Sequence, residues 1–133
     1  MKNILIIDDN PLNGEDYIAP LKEIYTVTVN VSLKDSYRRI QMNHYDLIVI
    51  DIMMPTQWLK NRDELKTGLY FYVEKLRELD NNNKRRYLFW SNLTQDTYDE
   101  FFKDPKPANI DFVHKELRNI NHLYDKVVSM IGI

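Results

Sequence analysis

Two apolar runs that each end at aspartate constrain the fold of this chain more than any other feature. Residues 4–7 (ILII) precede Asp8 and Asp9, and residues 47–50 (LIVI) precede Asp51. An uninterrupted apolar run of this length is typical of a strand that is buried on both faces, as in parallel sheets. Ligands of open α/β sheets bind just beyond the carboxyl ends of such strands. The pattern therefore predicts an acidic pocket at that edge, where repulsion among three carboxylates favours a hard cation such as Mg²⁺.

Strand-like and helix-like segments alternate along the whole chain. The predicted strands are 3–7, 25–31, 46–50, 86–91 and 110–114. Helices are predicted at 12–23, 33–40, 69–79, 94–103 and 117–131, and Gly14 and Pro20 should make the first one short or kinked. Ser32 and Asp35 resemble a capping box that begins the second helix. The last helix has the clearest apolar stripe, formed by Leu117, Ile120, Tyr124, Val127, Val128 and Ile131. Five β–α units in a row predict an α/β fold, a doubly wound five-stranded parallel sheet with helices on both faces.

Composition excludes several classes of function. The chain has 133 residues, 44% of them hydrophobic, which predicts a single globular domain over 1–133. Its 18 basic and 20 acidic residues give a net charge of −2, so neither nucleic acid nor a membrane surface is expected as a direct partner. The absence of cysteine excludes disulfides and thiolate chemistry. No apolar stretch is long enough for a membrane span, and the N-terminus lacks a signal-peptide pattern, so a soluble cytoplasmic protein is expected.

Two more polar residues follow predicted strands. Ser91 closes the fourth strand, and Lys115 follows the fifth. Taken alone, such a serine usually caps a helix and such a lysine usually points into water, and an aspartate after a strand can equally cap the next helix. At one edge of a parallel sheet, however, the hydroxyl and the ammonium would join the three carboxylates. Such a set suits phosphoryl transfer, with a carboxylate nucleophile, a divalent cation and donors for the phosphoryl oxygens.

The chain resembles the receiver domain of response regulators, the CheY-like phosphoacceptor module of two-component signalling. The resemblance covers the whole sequence, in a single-domain form. It rests on the strings ILIIDDNP (4–11), YDLIVIDIMMP (45–55) and TGL (67–69), followed in order by Ser91 and Lys115. It implies the flavodoxin-like (βα)5 architecture with strand order 2-1-3-4-5.

The resemblance also implies a role for each matching residue. Asp51 would be the phosphoacceptor, with Lys115 and Ser91 contacting phosphoryl oxygens, and Phe112 would be the switch aromatic that responds to movement of Ser91. Mg²⁺ or Mn²⁺ would be held by Asp8, Asp9, Asp51 and the backbone carbonyl of Met53.

The partners that the resemblance implies are a sensor histidine kinase or histidine phosphotransfer protein and a downstream effector, and a homodimer is also compatible with it. Such a domain catalyses only its own phosphorylation and dephosphorylation, so it is not an enzyme acting on other substrates.

The chain departs from the family pattern in the length of one loop and at four single positions. Gly68 follows Asp51 by 17 positions, a longer spacing than is usual in receivers. The insert 56–66 is either a tolerated surface loop or a lid or partner contact. Glu116 replaces a common proline. Asn92 stands where a small residue is preferred, and Met53 and Leu93 offer apolar side chains beside the pocket. From these residues we expect slow autodephosphorylation.

Two other functions compete with the phosphoacceptor. The first is a phosphorylation-independent interaction module that keeps the receiver fold without its chemistry, although all five expected polar positions are filled. The second is a metal-dependent phosphatase with an aspartate nucleophile. Haloacid-dehalogenase-type enzymes carry a second aspartate two residues after the nucleophile, and here that position is Met53, which leaves no evident general acid.

Overall fold

One parallel sheet of five strands forms the centre of the molecule. The structure, a computed structural model, describes residues 1–9, 15–54, 58–60, 63–79, 85–103, 106–115 and 121–133. The sheet order is β2-β1-β3-β4-β5, as expected from the resemblance. The strands are β1 (Asn3–Ile7), β2 (Thr26–Asn30), β3 (Leu47–Ile50), β4 (Arg86–Ser91) and β5 (Ile110–His114). Three strand predictions are confirmed to the residue, β2 is one residue shorter at each end, and β3 begins one residue later.

Among the residues that the structure describes, five helical segments connect and cover the strands. They are α1 (Glu15–Lys22), α2 (Leu33–Met42), α3, α4 (Gln95–Phe101) and α5 (His122–Ile131). The third, α3, is continuous: an α-helical turn (Thr67–Phe71), a π-helical turn (Tyr72–Leu76) and a last α-helical turn (Arg77–Leu79), with a 3-10 turn (Glu64–Lys66) before it. Helix α2 begins as predicted, because the Ser32 hydroxyl oxygen accepts the backbone N–H of Asp35 at 3.2 Å. Pro20 lies inside α1, and residues 12–14 of that prediction lie outside the described residues.

The sheet divides the core into two layers, because successive side chains of each strand point to opposite faces. One layer, the α2–α4 face, contains the side chains that pack under α2, α3 and α4; its strand residues are Leu5, Ile7, Ile48, Ile50, Tyr87, Phe89, Ile110 and Phe112. The other layer, the α1/α5 face, contains Ile4, Ile6, Leu47, Val49, Leu88, Trp90 and Val113. Both faces of the sheet are covered, which confirms the doubly wound architecture.

The apolar face of α5 differs from the predicted stripe. Leu123 and Val127, four residues apart, are fully buried against the sheet. Tyr124, Val128 and Ile131 are only partly buried, and Leu117 and Ile120 lie outside the described residues. The predicted stripe does not include Leu123, so the prediction is wrong about the centre of the apolar face.

Part of the long insert belongs to the core of the α2–α4 face. Leu59 is 2% exposed. The ring of Trp58 lies 5.4 Å from that of Tyr37 in α2 and 6.0 Å from that of Phe71 in α3, measured between centroids. This burial gives Trp58 and Leu59 a packing role that the sequence analysis did not assign. Whether the insert also forms a lid or a partner contact stays a prediction, and residues 55–57, 61 and 62 lie outside the described residues. Across the described ranges, we find no helix with the length and apolar character that crossing a membrane requires.

Candidate functional site

Backbone pairing of the central strands places two aspartates side by side. Ile7 of β1 and Ile50 of β3 are register partners, and the backbone N–H of Asp51 donates to the carbonyl of Ile7 at 2.9 Å. The backbone N–H of Asp8 donates to the carbonyl of Asn30, at the end of β2, at 3.0 Å. Each strand is therefore extended by one hydrogen bond, and both carboxylates leave the sheet at the same edge.

Three carboxylates come together at this edge. One oxygen from each of Asp8, Asp9 and Asp51 lies within 4.8 Å of the other two. Asp8 and Asp51 are 1% and 7% exposed, whereas Asp9 faces solvent. The three carboxylates that the strand pattern predicts at one edge do meet in the structure.

Lys115 reaches the same cluster from β5. Its backbone N–H donates to the carbonyl of Ser91 at 2.9 Å, which joins the ends of β4 and β5. Its ammonium Nζ lies 3.2 Å from Oδ2 of Asp51 and 3.5 Å from Oδ2 of Asp8. The lysine therefore bridges the two buried carboxylates.

Burial controls the electrostatics of Asp51. Desolvation raises the pKa of Asp51 to about 6, the Lys115 ammonium opposes that rise, and the Asp8 carboxylate adds to it. The backbone N–H of Met53, which donates to Oδ1 of Asp51 at 3.2 Å, also stabilises the charged form. One ammonium is thus insufficient to keep this carboxylate at its ordinary pKa.

The donor set fits a hard divalent cation. Three carboxylates and one ammonium sum to a formal charge of −2 when all are ionised, which a divalent ion would neutralise. All three side chains offer oxygen ligands, the type that Mg²⁺ and Mn²⁺ prefer. Met53 is 38% exposed and lies two residues after Asp51, and a ligand role for its carbonyl stays a prediction.

Ser91 and Phe112 occupy buried positions on the neighbouring strands. Ser91 is fully buried, and its hydroxyl oxygen accepts the backbone N–H of Leu93 at 3.2 Å. Phe112 is 4% exposed and stacks on Tyr98 of α4, with centroids 5.0 Å apart and ring planes at 27°. The structure therefore brings Ser91 to the edge that carries the carboxylates and packs Phe112 into the α2–α4 face.

Thr67 and Gly68 hold the loop that follows Asp51. The Thr67 hydroxyl donates to the carbonyl of Met54, and the Gly68 N–H donates to the carbonyl of Ile52 at 2.8 Å. A Cβ at position 68 would lie 2.6 Å from the backbone oxygen of Asp51. The start of α3 is therefore packed directly against the end of β3, a contact that sequence reasoning did not derive.

Sequence reasoning also missed Trp90. The Lys115 ammonium lies 4.4 Å from the centroid of the Trp90 ring, and that side chain is 1% exposed. A signal was available, because Trp90 and Lys115 both lie at the carboxyl ends of neighbouring strands.

Comparison with solved structures identifies the fold. The chemotaxis protein CheY4 of Vibrio cholerae superposes with a TM-score of 0.75 over 98% of this chain and 98% of that chain, at 18% identity. The chain has the receiver-domain fold. The receiver domain of the Francisella response regulator 1452 gives a TM-score of 0.72 at 24% identity, over 98% of this chain and 97% of that one.

The response regulator TrrA of Thermotoga maritima, in complex with Mg²⁺ and BeF, gives a TM-score of 0.71 at 22% identity over 98% and 99% of the two chains. No protein-family model and no curated protein matches the chain. Since these identities are all below 25%, the similarity establishes the receiver fold, and the function depends on the chemistry of the site.

Proposed function

We propose that this chain is a response-regulator receiver domain, spanning residues 1–133, that accepts a phosphoryl group on Asp51. The observation that carries the proposal is the convergence of Asp8, Asp9 and Asp51 within 4.8 Å, with the Lys115 ammonium between the two buried carboxylates. A merely structural acidic edge would not need two buried carboxylates beside each other, since each one costs desolvation energy.

The chemistry of acceptance requires a carboxylate nucleophile beside a positive charge. An oxygen of Asp51 attacks the phosphorus of a phosphohistidine on a sensor kinase or phosphotransfer protein. The new P–O bond forms as the P–N bond breaks; the imidazole nitrogen keeps the electron pair, and water supplies the proton that leaves the ring neutral. Lys115, already 3.2 Å from Asp51, would stabilise the negative charge on the phosphoryl oxygens, and Ser91 would donate a hydrogen bond to another oxygen.

Asp8, Asp9 and Asp51 would hold Mg²⁺ or Mn²⁺, with the Met53 carbonyl as a further ligand. When bound, the cation would neutralise carboxylate charge and polarise the phosphoryl group. The Mg²⁺ and BeF complex of TrrA, a protein of the same fold, supports this assignment.

Phosphorylation would act as a signal by changing the charge at the edge of the sheet. An acyl phosphate adds negative charge and strong acceptor oxygens beside Ser91. Movement of Ser91 toward the phosphoryl group would free space for Phe112 to change its packing on Tyr98, and a downstream effector would read the altered surface. The domain would work in the cytoplasm, turn over only its own phosphoryl group, and could dimerise.

The proposal is tested by intact mass measurement. The protein is incubated with acetyl phosphate in Mg²⁺ or in EDTA, and wild type is compared with Asp51→Asn and with Asp46→Asn, which changes a carboxylate at the opposite edge of the sheet. We expect the mass of one phosphoryl group on wild type and Asp46→Asn, in Mg²⁺ only. An unmodified wild type would refute phosphoacceptance and favour the interaction module. Sustained release of phosphate from the donor, by contrast, would indicate a phosphatase.

A further inference from the structure

The position of the Lys115 ammonium needs an explanation, because lysine is a poor element for precise placement. Its charge sits at the end of a flexible four-carbon stem, and water competes strongly for it. Yet Nζ bridges Oδ2 of Asp51 and Oδ2 of Asp8, with its side chain 19% exposed. Two carboxylates attract the ammonium, but they do not by themselves exclude solvent from the rest of its surface.

Trp90 is a third side chain in contact with this ammonium. The Lys115 Nζ lies 4.4 Å from the centroid of the Trp90 ring, within the range of a cation–π contact. Trp90 is fixed in turn: it belongs to β4, it is 1% exposed within the α1/α5 face, and the ring of Tyr17 from α1 packs on it at 5.5 Å and 64°. The fixed ring of Trp90 therefore contacts the charged end of the flexible Lys115 side chain.

We propose that Trp90 is a positioning residue for phosphoryl transfer, whose indole face holds the Lys115 ammonium beside the oxygen of Asp51 that receives the phosphoryl group. This inference rests on the proposed role of Asp51 as phosphoacceptor. The ring attracts the ammonium by its quadrupole and denies water one side of it, while leaving its N–H donors free to point at the carboxylates.

Weakening the contact should slow phosphorylation. Without the quadrupole, the ammonium would spend more time in water and less beside Asp51, and the charge that stabilises the phosphoryl oxygens would be correspondingly less available. A desolvated cation–π contact of ordinary strength corresponds to a fall of about 2- to 30-fold in the rate of phosphorylation.

Fluorinated tryptophan tests this without removing the ring. The chain has two tryptophans, so a Trp58→Phe protein carries Trp90 alone. We would incorporate mono-, di- and trifluorinated tryptophan into that protein and measure the rate of phosphorylation by acetyl phosphate in Mg²⁺. Fluorine withdraws electron density from the ring face while nearly preserving its shape. The rate should fall stepwise with each fluorine, and two monofluorinated isomers should react equally fast.

The chain provides a matched control. Trp58 makes a cation–π contact of similar length, 4.7 Å to the Nζ of Lys75, and it packs against the core of the α2–α4 face. A Trp58→Phe protein with ordinary tryptophan should therefore phosphorylate at the wild-type rate. Equal rates across the fluorinated series would overturn the proposal. It would also be overturned if the rates of the two monofluorinated isomers differed more from each other than the rates of the mono- and trifluorinated proteins do. That pattern would show that the position of the fluorine, and hence packing, controls the rate.

A second measurement needs no phosphorylation. The ε-carbon of Lys115 is bonded to Nζ, which lies 4.4 Å from the centroid of the Trp90 ring. The NMR resonances of its protons should therefore be shifted upfield by the ring current, and a Trp90→Leu protein should lose that shift. Lys115→Arg identifies the resonance. An unshifted resonance in wild type would overturn the inference about Trp90. A shifted resonance in a protein that cannot be phosphorylated would instead leave the contact standing and refute the function proposed for Asp51.

Discussion

Replacing Gly68 by alanine tests the contact between α3 and the end of β3. The new Cβ would lie 2.6 Å from the backbone oxygen of Asp51, 2.8 Å from Cα of Ile52 and 3.0 Å from Cγ2 of Ile50. The two nearest atoms belong to the backbone, so relief requires the strand end or the helix to move. That movement would displace Asp51 from Asp8 and Lys115.

Two opposing effects set the magnitude. Gly68 is in the first α-helical turn of α3, where alanine alone would stabilise the helix by up to about 1 kcal/mol. Forcing an extra methyl into a packed site costs about 1–3 kcal/mol, and the upper part of that range applies because backbone atoms are in the way. The free energy of unfolding should therefore fall by about 1–2 kcal/mol. Helix propensity alone would predict a rise.

Urea unfolding measures the stability of the variant, and the rate of its reaction with acetyl phosphate measures the effect on the site. We expect Gly68→Ala to lower the urea midpoint and to slow phosphorylation of Asp51 severalfold. The control is Gly132→Ala: Gly132 has φ of +69°, and a Cβ there meets only Nζ of Lys2, at 3.6 Å. Its ψ of −174° completes a backbone conformation that is essentially restricted to glycine. That variant should therefore lose about 1–3 kcal/mol through backbone strain alone and phosphorylate normally. A Gly68→Ala protein as stable as wild type would refute the reasoning.

Three further predictions concern Asp46, Thr67 and the lifetime of the phosphoryl group on Asp51. The backbone N–H of Asn3 donates to Asp46 at 2.8 Å and holds the pKa of that carboxyl below its usual range. Asp46 thus stabilises the fold above about pH 4 and ceases to do so as pH falls through its lowered pKa, so urea midpoints of Asp46→Asn and wild type should converge in acid. Thr67→Val leaves the buried carbonyl of Met54 without the hydroxyl and should cost about 1–3 kcal/mol in urea unfolding, whereas Thr67→Ser should cost less. Phosphorylated Asp51 should decay slowly after donor removal; a half-life of seconds by intact mass would contradict this.

The sequence predicted most of the sheet and of the acidic cluster, because both depend on local patterns. Four apolar residues followed by aspartate predict a buried parallel strand with a carboxylate at its end. The strand register then brings Asp8 and Asp51 together, because Ile7 lies opposite Ile50. The strand order needed the family resemblance, since apolar runs indicate strands without indicating which ones are neighbours.

What the sequence did not predict depends on contacts between distant segments. The π-helical turn in α3 lies where Tyr72 packs its ring against Tyr87, Phe89 and Phe102. The insert offered no periodic pattern, and only the positions of α2 and α3 explain why Trp58 is half-buried. In α5 the contact with the sheet buries Leu123 and Val127, whereas the predicted stripe is centred on Tyr124, Val127 and Val128. The apolar pattern alone does not indicate which side of the helix faces the sheet.

The two tryptophans lie in different layers of the core: Trp58 packs on the α2–α4 face and Trp90 within the α1/α5 face. Tryptophan fluorescence of a protein that keeps only one of the two tryptophans will consequently report the unfolding of one side of the sheet. Coincident curves would mean that both halves come apart in a single cooperative event. Separate unfolding curves would mean that one layer of the core remains folded after the other has unfolded.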